Sequence, residues 1–161
     1  MILGMSIETF TLVHVLISLI GIATGLAFVF RVMAGNLNNP WSGVFLLTTI
    51  ATSVTGFLFP FDKLLPSHIL GILSLIVLAL ALLARYAFHN AGVWRKVYII
   101  GCVVALYFNV FVLVVQSFQK VPTLASLAPT QSEPPFAIAQ AIVLGLFVVF
   151  GFKSVTTPHK G

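Results

Sequence analysis

Residues 10–30 read FTLVHVLISLIGIATGLAFVF, 21 consecutive positions without an Asp, Glu, Lys or Arg. At a rise of about 1.5 Å per residue, such a run crosses the roughly 30 Å hydrocarbon core of a bilayer as one helix. The rest of the chain repeats this character. Of its 161 residues 60% are hydrophobic and 7% charged, and its mean hydropathy is +1.14. Soluble domains are about one-quarter charged, so these values exclude an ordinary water-soluble globule. They also exclude a disordered tail, a coiled coil and a secreted disulfide scaffold. The net charge of +5 comes from eight scattered Lys and Arg that form no patch, which argues against a nucleic-acid partner. The single cysteine, Cys102, leaves no intramolecular disulfide to form.

Working outward from residues 10–30, polar or Pro/Gly breaks delimit further apolar runs at about 42–61, 67–88, 97–118 and 135–155. The expected fold is therefore all-α: one domain over residues 1–161, a bundle of five unbroken transmembrane helices. Ser67 is the expected N-cap of the third helix, and Pro134-Pro135 suits the start of the fifth. Residues 10–30 lack the basic leader of a signal peptide and read as a retained helix. Six basic residues, Arg31, Arg85, Arg95, Lys96, Lys153 and Lys160, fall on one side of this topology. Lys63 and Lys120 fall on the other, with all three acids, Glu8, Asp62 and Glu133. The positive-inside rule then predicts an outside N-terminus and a cytoplasmic C-terminus. Trp41, Trp94, Tyr86 and Tyr98 lie near the cytoplasmic helix ends, where amphipathic rings favour the headgroup layer.

A polar side chain in hydrocarbon needs a partner, so intramembrane polar residues mark candidate sites. His14, Ser18, Gly21 and Gly25 share a stripe on the first helix, as do His68, Gly71 and Ser74 on the third. Cys102, Asn109 and Gln116 recur every seven residues on the fourth helix. The fifth carries Gln140, and the second is rich in hydroxyls (Thr48, Thr49, Thr52, Ser53, Thr55). His14, His68, Gln116 and Gln140 lie at comparable depth, which predicts a polar pocket in the outer-leaflet half, provided the first and third helices are neighbours. Ser18 and Asn109 would line it, with Asp62 and Glu8 at its mouth. The fifteen-residue segment Gln119–Glu133 would cap it.

His14 and His68 are candidate ligands for haem iron or another metal ion, since neutral imidazoles from two helices suit both. The alternative is two interfacial histidines bonded to a neighbour or to water. The GxxxG motif Gly21–Gly25 and Gly71 are expected to pack helices closely, within the bundle or in a homo-oligomer. No HExxH, G-x-S-x-G, P-loop or Rossmann pattern occurs, so enzymatic activity lacks a recognised framework. Two functions follow as expectations: a pocket for haem, a metal, or a quinone-like or lipid-like ligand, or an accessory subunit of a larger membrane complex. A third, acid–base chemistry on lipid, rests only on His and Asp near a membrane surface.

Thr55-Gly56-Phe57-Leu58-Phe59-Pro60-Phe61, Pro66-Ser67-His68 with Gly71, Ala84-Arg85-Tyr86 and Trp94-Arg95-Lys96-Val97-Tyr98 together resemble small multi-pass bacterial inner-membrane proteins of unknown function. Those carry a histidine in the first helix, another opening a later helix after a short outer loop, and a basic cytoplasmic turn. The resemblance covers the first two-thirds of the chain and implies a bacterial inner (cytoplasmic) membrane.

Overall fold

The computed structural model describes residues 1–160, which form helices and their connections with no strand among them. The helices are α1 (Ile7–Met33), α2 (Trp41–Gly56), α3 (Pro66–Leu82), α4 (Val93–Lys120), α5 (Pro122–Leu127) and α6 (Pro134–Thr156). A single π-helical turn, Leu83–Ala87, prolongs α3, so that the Phe88 amide reaches back to the Leu83 carbonyl at 3.0 Å. Among the described residues four segments are long and apolar enough to cross a membrane: Ile7–Met33, Pro66–Ala87, Val93–Lys120 and Pro134–Thr156. The expected second span, 42–61, is shorter than its apolar run. Its helix stops at Gly56 after 16 residues, about 24 Å, because Pro60 steers Phe59 out of the helical region and the chain tightens there into turns. Within the segment expected to be a loop, Pro122 at N1 starts the short α5.

Helix starts follow local chemistry. Ser6 caps α1 by accepting the Thr9 amide at 3.2 Å. Ser67 does not cap α3: Pro66 occupies the first helical position, which moves the cap to Leu65. The Leu65 amide is then satisfied by His68 Nδ1 at 3.0 Å, the reciprocal half of a capping box.

Side-chain contacts fix the directions. His14 meets Thr55, Gly21 faces Thr48 and Gly25 faces Phe45, so α1 and α2 are antiparallel. The Ser53–Ser74, Arg85–Tyr98 and Gln140–Phe111 contacts continue the alternation through α3, α4 and α6. Glu8, Asp62 and Glu133 therefore gather at one end of the bundle, hereafter the acidic end, and Arg31, Arg85, Arg95, Lys96, Lys153 and Lys160 at the other, the basic end. Around the ring α1 packs on α2 and α4, and α3 packs on the same two, which sets α1 and α3 on a diagonal. α6 lies outside against α4 and α1 and exposes Ile138, Ile142, Leu146, Val149 and Phe152. So much exposed apolar surface on four spanning-length helices makes this a membrane protein.

The core occupies the basic half. Phe28, Phe45, Leu78, Tyr98 and Leu106 are all buried there, with Phe28 against Phe45 and Tyr98. Gly25 permits this approach: a Cβ added to it would lie 2.6 Å from Leu106 Cδ1 and 2.7 Å from Phe45 Cδ2. The C-terminal tail closes the basic end, the Lys160 amide bonding the Gly35 carbonyl at 3.0 Å. Gly35 has φ +86° and the Pro158 carbonyl where a Cβ would stand, so glycine is required twice over. His159 lies in this clasp. Burial and the nearby Arg95 guanidinium hold its pKa below the ordinary imidazole value, against a weaker pull from the Val32 carbonyl.

Candidate functional site

Toward the acidic end the ring's inward positions carry Ser18, Thr52, Ser53, Gly56, Gly71 and Ser74 in place of large apolar side chains. These cannot fill the space between helices held apart by the packed basic half, and a cavity of about 590 Å³ results. Its size falls within the roughly 300–1,000 Å³ of small-molecule sites. Val15, Leu19, Leu70, Phe108 and Val112 supply apolar wall, and Lys120 stands among the lining residues at the end of α4.

Both histidines line this cavity, from the diagonal helices α1 and α3. The two need not belong to neighbouring helices, as the sequence reading supposed, because α2 and α4 hold α1 and α3 across a shared space. His14 Nδ1 lies 2.7 Å from Thr55 Oγ1, and the Thr55 hydroxyl donates its one proton to the Ala51 carbonyl at 2.6 Å. With that proton given to the Ala51 carbonyl, Thr55 acts as acceptor, and this bonding pattern assigns the His14 ring proton to Nδ1 and an unshared pair to Nε2. His68 is the opposite case. Its Nδ1 accepts the Leu65 amide, so its ring proton sits on Nε2. Neither Nε2 has a protein partner among the described residues, and neither is sealed from the cavity.

Three phenylalanines hold the rings. Phe59 meets His14 edge-on at 5.2 Å between centroids, while Phe61 and Phe57 lie 4.1 and 5.7 Å from His68. They come from the segment joining α2 to α3, where Phe57, Phe59 and Phe61 recur every second residue through Pro60. Their role and that of Thr55 escaped the reading of the stripes. The signal was present in that alternation within a stretch that Pro60 keeps from being helical.

Ser18, Asn109, Gln116, Gly71 and Ser74 also line the cavity. Asn109 donates to Thr49 at 3.3 Å, and Ser53 and Ser74 lie 3.4 Å apart between α2 and α3. Other expected members lie elsewhere. Gln140 is on the seam between α6 and α4, donating to the Phe111 carbonyl at 3.2 Å, because α6 packs outside the ring. Asp62 is exposed on the connecting segment and does not line the cavity, nor does Glu8, so no carboxylate joins the imidazoles there. Segment Gln119–Glu133 lends the lining only Lys120 and Val121 and does not cap it. Gln131 pins that segment to α4 through the Val115 carbonyl at 3.0 Å.

Gly21 and Gly25 face Thr48, Thr49, Phe45 and Leu106 inside the ring, and a Cβ added to Gly71 would lie 3.1 Å from the Phe57 ring. Cys102 is buried in the core. Among the described residues no three His, Cys, Asp or Glu converge on a common point. Compared with known proteins, the chain matches no family model, no curated protein and no solved structure.

Proposed function

We propose that this chain is an integral membrane protein that binds an amphipathic small molecule in the cavity at its acidic end. The observation that carries this reading is a preformed space of about 590 Å³ in which two imidazoles present free Nε2 atoms amid apolar walls. A structural role alone leaves no reason for small and polar side chains to keep such a volume open at a cost in packing. In this reading α2 and the Phe57–Phe61 segment together complete a fifth crossing. The acidic end faces outward, and six basic residues hold the other end in the cytoplasm. The sequence resemblance supports a bacterial inner membrane as the setting.

The two histidines differ as ligands. His14 offers an unshared pair, as a haem or metal ion requires, whereas His68 would have to break its bond to the Leu65 amide to do so. The arrangement therefore favours a quinone-like or lipid-like occupant over a metal held by both rings. The accessory-subunit reading draws on the Gly21–Gly25 face of α1 and the Thr/Ser face of α2, and of these Gly21 and Gly25 are occupied inside the ring.

The test is mass spectrometry of molecules extracted from the detergent-purified protein, with visible spectra before and after dithionite. The expected result is an amphipathic organic molecule in near-stoichiometric yield, lost from His14→Ala and His68→Ala variants that still elute as folded protein. A Soret band lost only in His14→Ala would assign haem instead. Equal yields of every lipid from wild type and variants would overturn ligand binding.

A further inference from the structure

The opposed protonation of the two imidazoles bears on the head group that suits a cavity both of them line. Thr55, donating to the Ala51 carbonyl, accepts from His14 Nδ1 and so leaves His14 Nε2 as an acceptor. His68 Nδ1 accepts the Leu65 amide at the start of α3, which leaves the ring proton on Nε2 as a donor. The other tautomer of His68 would cost the bond to the Leu65 amide, and that of His14 would need the Thr55 hydroxyl to turn its proton from the Ala51 carbonyl to Nδ1.

Resting on the ligand-pocket reading above, we infer that the site selects a hydroxyl-bearing head, of phenol or hydroquinone type, over the corresponding quinone. A hydroxyl gives its proton to His14 Nε2, and an oxygen of the same head accepts the proton on His68 Nε2. Two oxygens on one head, at least one of them a hydroxyl, meet this requirement. A dione meets only half of it: one carbonyl accepts from His68, but at His14 an oxygen lone pair opposes a nitrogen lone pair. Phe57, Phe59 and Phe61 supply aromatic surface for a ring, and Val15, Leu19, Leu70 and Val112 supply wall for an alkyl or isoprenoid chain. The inference concerns binding of one redox form over the other and requires no electron transfer by the protein.

Anaerobic titration calorimetry of the full chain in lipid nanodiscs tests it, using a short-chain 1,4-benzoquinone and its two-electron-reduced hydroquinone as probes. The hydroquinone is expected to bind roughly tenfold more tightly, the effect of one mismatched polar contact. Thr55→Val removes the partner that fixes His14 and should bring the two affinities together without abolishing either. Histidine ring-nitrogen NMR provides a second readout, with His14 Nε2 and His68 Nδ1 expected to be the unprotonated positions. Equal affinities in wild type, or tighter binding of the quinone, would overturn the inference. Failure of both probes to bind would overturn it too. If the purified protein still yielded a stoichiometric amphipathic molecule in that case, ligand binding would stand and only the head-group assignment would fall.

Discussion

Gly25 shows how one missing side chain positions the site. The packed half of the ring closes because Leu106 and Phe45 lie where its Cβ would be, and that closure holds the helices apart where His14 and His68 sit. Gly25→Ala should lower the stability of the detergent-solubilised protein by about 1–3 kcal/mol, the usual cost of overpacking a filled core. Gly145→Ala on α6 is the matched control. Nothing lies within 4 Å of its added Cβ, so its unfolding midpoint should equal or slightly exceed that of wild type. If both variants melted alike, Gly25 would owe its place to helix propensity and the packing account would fail. His14 and His68 make the complementary point. Each was recognisable as an intramembrane polar residue, yet neither a tautomer nor a partner can be read from a histidine in a string.

Among the elements, the π-helical turn Leu83–Ala87 is where backbone irregularity meets a charged group. The turn places Arg85 so that Nη1 donates to Ser42 Oγ at 2.9 Å and Tyr98 Oη at 2.7 Å, joining the ends of α2, α3 and α4. By sequence Arg85 is one of six topology-setting cations. In the folded chain its guanidinium turns inward to two buried hydroxyls and sits 5.5 Å from the rings of Tyr86 and Tyr98. Bonds to a charged group contribute about 1.5–3 kcal/mol each, so Arg85→Leu should destabilise the bundle by at least about 2 kcal/mol. Arg85→Lys should recover only part of this, since a point charge cannot reproduce the planar fork. Thermal melts of the purified variants give the ranking, and a leucine variant as stable as wild type would reduce Arg85 to a topology signal.

Across the whole molecule, charge and fold agree: the antiparallel order collects all three acids at one end and six of the eight basic residues at the other. The proposed orientation is directly measurable. Cys102 is buried and should not react with aqueous thiol reagents in the folded protein, so single cysteines can report on each end. Ser126→Cys, in the exposed α5, should react with a membrane-impermeant maleimide added to intact cells. Ala91→Cys, in the exposed turn before α4, should react only after the membrane is opened. The reverse pattern would invert the protein and put the cavity in the cytoplasmic leaflet.

The sequence by itself determined that the chain is helical and apolar enough to span a membrane, where four of the five expected spans lie and which ends carry which charge. These properties depend on local composition and run length, which a bilayer reads one segment at a time. It also drew attention to His14, Ser18, His68, Asn109 and Gln116, because a polar group stands out in an apolar run. Only the tertiary structure decided that α2 stops at Gly56, that α1 and α3 oppose each other across a cavity, and that Gln140 and Asp62 lie outside it. It alone paired His14 with Thr55 and His68 with the Leu65 amide. Those outcomes depend on which helix faces which and on where volume is left unfilled. Both are set by contacts between residues far apart in the chain, to which hydropathy and periodicity are blind.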